Sequence, residues 1–467
     1  MTASHGVAKS VGFMAGASRL FFVHNLFPVL ASLLMLAGCS ASKPPAAKPV
    51  APLFVPPVVT APEAPKEKLP PVMLGIDVLE ADGFAAVKGK KIGLLTHPAG
   101  VNRRGISTID VLRRAPGVQL VALYAVEHGL YGDLPAEKPF PDKIDLRTGL
   151  MVHSLYKGNL VRATPAQLKG IDALVIDLQD IGTRSYTFTS AMKVAMEACF
   201  EAGKEVIVLD RPNPLGGLKV DGPLLDANRM SDVGRFRVPY VHGLTMGELA
   251  QMVRNEQPPG GLAISEAARA KGKLTVIPMR GWTRAMRWPE TGLPFIGTSG
   301  LVLDYSACEG YPMTGLGCIL GGFRHGVGDQ FPFRGISHQQ TKIDPLEKEL
   351  RALNVPGIQF RRVTVPNAKT GQPGVGLYID ITDYEAWTPT ELSFWLMKLA
   401  CKLEPKNPFI AATDAQRRTF LVHMGSQAFF NDLVTSGRNT DVAKWLRTWR
   451  EQDKIYQEQS KKYWLYR

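Results

Sequence analysis

Glu127 stands at the end of an apolar, strand-like run, Val118–Val126, and is followed by His128 and Gly129. A glutamate placed there can reach into a cleft, where partial burial tunes a carboxylic acid to protonate a leaving oxygen. Hydrolysis of a glycosidic bond usually employs a second carboxylate across the cleft. Asp177-Leu178-Gln179-Asp180, which closes the run Ala173–Ile176, offers two. Three residues apart, they would face opposite sides of a strand. Asp180, beyond the strand and near Gly182, is the freer and is the expected partner of Glu127 or its orienter. Asp177 is expected to fix backbone or Arg211 beside the substrate.

Further polar residues follow the same placement. Arg184 and Tyr186 come after a Gly182 turn, and an arginine can hold a carboxylate bidentately. Asp210-Arg211-Pro212-Asn213-Pro214 closes the run Val206–Leu209 and is stiffened by its two prolines. Thr96-His97-Pro98 closes Ile92–Leu95, and His242 precedes a helix start at Thr245. Ligands of open α/β sheets bind outside the carboxyl ends of the strands, so four polar strand ends imply one shared site. His128, Asp177, Gln179, Arg184, Tyr186, Asp210, Arg211, Asn213 and His242 form the expected substrate-binding set. An arginine, histidine or aspartate in such a loop can equally serve as a structural strut. No cofactor or metal is expected: the chain shows no G-x-G-x-x-G after its first strand, no P-loop, no G-x-S-x-G and no H-E-x-x-H. A metal-dependent hydrolase is the weaker alternative.

The elements that must carry these residues are α/β. Lys91–Thr96, Val118–Val126, Ala173–Asp177 and Glu205–Asp210 read as strands. Thr108–Arg114 and Ser190–Gly203 read as helices between them, with Gly203 as a C-cap. Thr245–Asn255 reads as a helix with a Thr245/Glu248 capping box. Alternation of strand and helix implies a parallel, Rossmann-like sheet. Pro258-Pro259-Gly260-Gly261 marks a boundary. Beyond it lie short strand-like pieces, Leu274–Met279, Ile358–Val365 and Gly376–Ile381, then helices over Thr388–Leu403, Ala415–Met424, Gln427–Thr435 and Asp441–Lys462. The expected division is a Rossmann-like domain over 73–257 and a smaller α+β ancillary domain over 258–467.

Residues 1–38 read as a signal peptide. Leu26–Leu36 is apolar apart from Pro28 and Ser32, and is short for a membrane span. It leads to Leu36-Ala37-Gly38-Cys39, a lipobox in which Cys39 is the expected lipidation site. Ser40 after the cysteine resembles the outer-membrane pattern, so the expected location is the bacterial envelope, anchored in the outer membrane and facing the periplasm. Met14 as start would leave a signal of more usual length. Residues 39–72 form a linker, and ten prolines fall in 41–71; such a stretch favours an extended spacer. The composition, 45% hydrophobic and 21% charged over 467 residues, is globular and large enough for two domains. The net charge of +13 favours anionic partners. No basic run or aromatic-basic stripe supports nucleic acid. None of the five cysteines makes a C-x-x-C pair; Cys308 and Cys318 could pair in an oxidising compartment.

At Gly75–Leu79, Glu127-His128-Gly129, Asp177–Thr187, Asp210–Pro214, Val220–Leu224 and Val238–Ala250 the chain resembles the exo-β-N-acetylmuramidase family. Gly281-Trp282, Thr291–Pro294 and Tyr463–Tyr466 continue the likeness. The resemblance implies a Rossmann-like domain joined to an ancillary domain, with the site in the cleft between them. It implies release of N-acetylmuramic acid from non-reducing ends of peptidoglycan fragments, with the family's glutamate before His-Gly at Glu127. On that implication Arg184 or Arg211 would hold the lactyl carboxylate, and Asn213, Gln179 and His242 the hydroxyl and acetamido groups. The chain departs from the family pattern after Pro294. Gly297–Leu301 replaces Pro-Ser-Pro-Asn-Met-Pro. Leu320–His325 replaces a segment carrying Glu-Gly-Thr-Asn, and Gly326–Phe333 replaces Gly-Arg-Gly-Thr-Thr-Arg-Pro-Phe. A non-catalytic peptidoglycan-fragment binding protein is accordingly the second reading.

Overall fold

The computed structural model describes residues 71–135, 137–366 and 371–467. The expected signal, Cys39 and all but the end of the proline-rich linker lie outside the described residues. The first part of the chain builds α1 (Gly75–Ala81), β1 (Lys91–Thr96), α2 (Thr108–Arg114), β2 (Gln119–Ala125), β3 (Lys143–Ile144), β4 (Met151–Ser154), α3 (Pro165–Leu168), β5 (Ala173–Asp177), α4 (Thr187–Glu201), β6 (Glu205–Leu209), α5 (Met246–Asn255), α6 (Glu266–Lys271) and β7 (Leu274–Ile277). These seven strands form one sheet in the order β3-β4-β2-β1-β5-β6-β7. All its pairs are parallel except β3 with β4. Without β3 this is the doubly wound order, with the chain reversing direction between β1 and β5.

Burial explains the pattern. Every residue of β5 is buried, as expected for a parallel strand covered on both faces. Helix α4 is buried from Phe188 to Phe200. Its apolar residues pack into the core, while the buried Lys193 and Glu197 are satisfied, Lys193 by the Arg235 and Gly260 carbonyls and Glu197 by Arg162 and the Ala263 N–H. The Thr245/Glu248 capping box forms as the sequence suggests: Thr245 accepts from the Glu248 N–H, and Glu248 accepts from the Thr245 N–H. Gly75 shows why α1 must begin with glycine. A Cβ there would lie 2.4 Å from the Asp210 nitrogen, between the ends of β6 and β7.

One boundary differs from expectation. The sequence pattern groups Leu274–Ile277 with the second domain, but β7 pairs in parallel with β6 and completes the first sheet. The first domain therefore runs past residue 257, because the Pro258–Gly261 segment is only a turn inside a long β6-to-β7 crossover.

The second part contains α7 (Tyr305–Thr314), β8 (Phe323–Arg324), β9 (Gly335–His338), α8 (Ile343–Ala352), β10 (Ile358–Val365), β11 (Gly374–Ile381), α9 (Glu391–Leu403), α10 (Pro408–Ala411), α11 (Asp414–Met424), α12 (Gln427–Ser436) and α13 (Val442–Ser460). Its four strands are antiparallel, in the order β10-β11-β9-β8. The helices close over an aromatic knot: Phe394 lies 4.5 Å, and Phe429 5.1 Å, from Trp449. The two parts share one hydrophobic core. The chain end ties them further, since the Tyr466 hydroxyl donates to Asp210 at 2.6 Å and accepts from the Met279 N–H at 2.9 Å. The fold is thus α/β, with a smaller α+β part. Cys199, Cys308, Cys318 and Cys401 are free thiols, so Cys308 and Cys318 do not pair here.

Candidate active site

A cavity of about 960 Å³ lies at the carboxyl end of β2, between the first sheet and the second part of the chain. Glu127 and His128 form its floor from the loop after β2. Ser185, Tyr186 and Thr187 enter from the start of α4. Ser299–Val302, Tyr311 of α7, Phe333 and His423 supply the facing wall. Both parts of the chain therefore contribute.

Glu127 is half-buried and firmly held. Its Oε1 accepts the Glu137 N–H at 2.9 Å and its Oε2 the Thr187 hydroxyl at 3.2 Å. The Tyr156 hydroxyl lies within electrostatic reach of Glu127, Glu137 and Asp232. Burial beside these carboxylates pushes Tyr156 up to about 12, so it remains an O–H donor. Backbone strain gathers here. His128, Glu137 and Phe333 all line the cavity and all adopt positive φ, at 71°, 61° and 60°. Non-glycine residues hold such angles only where surrounding contacts over-determine them, and functional sites are where this recurs. His128 is fixed through Nδ1, which donates to the Leu134 carbonyl at 3.1 Å.

Of the expected set, the structure brings Glu127, His128 and Tyr186 to this cavity. The others form a buried network behind it. Asp177 pairs with Arg211 at 2.5 and 3.0 Å and accepts from Thr108 at 2.5 Å. Arg211 also donates to the Val101 carbonyl. Arg184 does not clamp a ligand: its guanidinium donates to four backbone carbonyls, those of Pro223, Val238, His423 and Met424. Burial lowers Arg184 to about 10. Asp210 collects the Arg211 and Gly247 N–H groups and the Thr245 and Tyr466 hydroxyls, while burial raises it to about 6. Gln179 donates to the Asp180 and Pro212 carbonyls. Asn213 bridges Leu244 and Leu215, and its Oδ1 would meet any Cβ at Gly182 at 2.4 Å. Asp180 accepts from the Gly182 N–H at 2.8 Å and lies 3.2 Å from His242 Nε2. Its place is thus under the turn that presents Ser185–Thr187, and it does not line the cavity.

The reason is geometric. The crevice between β1 and β5, where strand order reverses, holds the Arg211 side and is sealed by Trp288, Leu293 and Pro294, leaving only about 10 Å³. His97, at the end of β1, is also enclosed. It accepts the Gln179 N–H at 2.8 Å, packs edge-on against Phe188, and is held well below its ordinary value by burial. The open space lies one strand over, off β2. Sequence reasoning missed Tyr156, Glu137, Asp232 and Asp133 of that cavity. They sit in irregular loops with no periodic or motif signal. The acidic character of 127–137 was the only available hint.

Two family models match the chain. One, described as the N-terminal part of exo-β-N-acetylmuramidase NamZ, covers residues 92–305, and the other, its C-terminal part, covers 310–466. A peptidoglycan β-N-acetylmuramidase, NamZ, of Bacillus subtilis (strain 168) is 37% identical over 344 residues, covering 73% of this chain and 80% of that protein. The crystal structure of a DUF1343 family protein from Bacteroides fragilis superposes with a TM-score of 0.75 at 36% identity, covering 85% of this chain and 99% of that one. A second DUF1343 protein from the same organism gives 0.64 at 26% identity with the same coverage.

Proposed function

The chain belongs to the exo-β-N-acetylmuramidase family, and from that membership we propose that Glu127 transfers the proton needed to release a terminal N-acetylmuramic acid bound in the adjoining cavity. The protein is a glycoside hydrolase acting on peptidoglycan fragments. Hydrolysis breaks the bond from the anomeric carbon to the bridging oxygen, adds water to that carbon and returns a proton to the leaving hydroxyl. Glu127 serves the leaving oxygen. The Glu137 N–H and the Thr187 hydroxyl hold its carboxyl in one orientation, which is what proton transfer at a fixed atom requires.

The second carboxylate of the cavity is Asp232, because Asp180 lies behind the lining. Asp232 lines the same cavity, and its two oxygens are set by the Leu160 N–H at 2.9 Å and by Arg235 at 2.6 Å. It would steady positive charge at the anomeric carbon or guide water to it. Asp180 and His242 act one layer back, by bracing the Gly182–Thr187 turn.

The observation that carries this reading is Glu127 itself, held by two donors and opening on a cavity built from both parts of the chain. Wild-type protein should release N-acetylmuramic acid, detected by mass spectrometry, from a disaccharide bearing it at the non-reducing end. Glu127→Gln should lower the rate by about 10²–10⁴-fold. Undiminished release by folded Glu127→Gln would remove the assignment.

The envelope address is part of the proposal and is supported by sequence alone. The lipobox at Leu36–Cys39 and the proline-rich spacer suit a body tethered to the outer membrane and facing the periplasm. Radiolabelled palmitate should enter the full chain and be absent from Cys39→Ser. Equal labelling of both would refute lipidation at that residue.

A further inference from the structure

Leu301 is the one large apolar side chain, among the described residues lining the cavity beside Glu127, that is more than half exposed, at 51%. A lone leucine on open surface is ordinary. This one stands at the tip of a turn whose stem is fixed. Ser299 and Val302 pair across the turn, and the Val302 N–H donates to the Ser299 carbonyl at 3.1 Å. The Thr298 N–H donates to the Val302 carbonyl at 3.0 Å. Val302 is rooted in the hydrophobic core. On the other side of the stem, the buried Thr298 hydroxyl accepts the Tyr186 hydroxyl at 2.6 Å. The residue after Tyr186 is Thr187, one of the two donors that hold Glu127. The tip that carries Leu301 is thereby held in register with the acid.

A side chain on an ordered turn can meet a ligand with little further loss of freedom. An N-acetylmuramic acid ring whose anomeric carbon lies at Glu127 points its C3 and C4 substituents away from that residue, towards the facing wall. C3 carries the lactyl ether, the group that sets muramic acid apart from N-acetylglucosamine. Beside its carboxylate that ether bears a methyl group, which is apolar surface on the same side of the ring. Leu301 is the exposed apolar surface of the wall. Contact between the two removes both from water. We propose that Leu301 is a specificity-determining residue of this enzyme, packing against the lactyl methyl group of the terminal N-acetylmuramic acid. The proposal rests on the muramidase reading above and adds one contact to it. Leu301 closes Gly297–Leu301, the segment that replaces the family's Pro-Ser-Pro-Asn-Met-Pro, so the contact comes from a stretch in which this chain departs from the family pattern.

The experiment compares two chromogenic glycosides of equal charge, the N-acetyl-β-muramide and its analogue with a carboxymethyl ether in place of the lactyl ether. They differ by the methyl group alone. For the wild-type full chain, kcat/KM on the muramide should exceed that on the analogue by about fourfold or more, the factor given by one buried methyl group. Leu301→Ala should raise KM for the muramide by about fourfold or more at unchanged kcat, because the contact is equal in ground and transition states. It should leave the analogue nearly unaffected, so that the preference collapses. Leu301→Met keeps an apolar side chain and should keep the preference. Leu303→Ala removes a leucine that is 62% exposed but does not line the cavity, and should match wild type on both compounds. Equal kcat/KM of wild type on the two compounds would overturn the proposal and leave the hydrolase reading standing. So would an equal loss on both with Leu301→Ala, or the same loss with Leu303→Ala, since either would make the turn a structural element only. Failure of folded wild type to hydrolyse either compound would overturn the muramidase reading and this contact with it.

Discussion

Asp453 provides a test of the fold's electrostatics that reaches the site from behind. It lies on α13, is 3% exposed, and has no hydrogen-bond partner at either carboxylate oxygen. Its neighbour Asp221 takes the available donors, accepting the Thr390 N–H and hydroxyl at 2.6 Å each. Burial, then the charge of Asp221, push Asp453 up to about 9, offset only in part by the Gly222 N–H that faces it. The proton of this pair therefore resides on Asp453. An aspartate in the unfolded chain titrates near 3.9. Between those two values the folded state holds one proton more than the unfolded state. The associated stability is complete below about pH 4 and is lost as pH rises towards about 9, at roughly 1.4 kcal/mol per unit. Asp453→Asn keeps the shape and removes the titration. Reversible urea unfolding of both proteins at about pH 5 and about pH 8 isolates the effect, since other groups cancel in the difference. Over that interval wild type should lose about 2–4 kcal/mol more stability than the variant, the lower end allowing for water reaching the site. Parallel pH dependences would mean that Asp453 is ionised in the fold, and the reasoning would fail. The consequence is not remote from function. Tyr456, one turn on along α13, donates to the His242 carbonyl at 3.3 Å, so this helix backs the Asp180–His242 pair.

Two further substitutions separate catalytic positioning from structural support. Thr187→Val removes one donor from Glu127, and a hydrogen bond to a charged group is worth about 1.5–3 kcal/mol, so kcat should fall about 10- to 150-fold with KM little changed. Steady-state kinetics on a chromogenic muramide checks this, and an unaltered kcat would show that the hydroxyl does not position Glu127. Arg184→Lys leaves at least one of four buried carbonyls without a donor and should cost about 1–3 kcal/mol, read as a lower melting temperature. KM of the folded variant should stay the same, whereas a large rise in KM at unchanged stability would return Arg184 to the ligand.

What the sequence made legible follows from how local each signal is. Hydrophobic runs, the Thr245/Glu248 box and Gly203 depend on neighbours within a few residues, so β1, β2, β5, β6, α4 and α5 emerge close to where they stand. The assignment of β7 to the second domain failed because a strand's sheet is decided by a partner 68 residues away, Val206 against Leu274, and not by its own pattern. The same distinction governs the site. Placement at a strand's carboxyl end correctly marks the functional edge of the sheet, but it cannot say which part of that edge is open. Here Trp288, Leu293 and Pro294 fill the reversal between β1 and β5, and the polar residues beneath must then satisfy one another. Asp177 with Arg211, Asp210 with Thr245 and Tyr466, and Arg184 with its four carbonyls are the outcome. A buried charge is tolerated only when partnered, so conspicuous charged motifs at a closed edge become internal braces. Glu127 escaped that fate because the loop after β2 faces the divergent wall formed by Ser299–Val302 and Phe333. Those wall segments come from the part of the chain that leaves the family pattern. Sequence change there alters what the cavity accepts, while the braces that hold Glu127 in place remain untouched behind it.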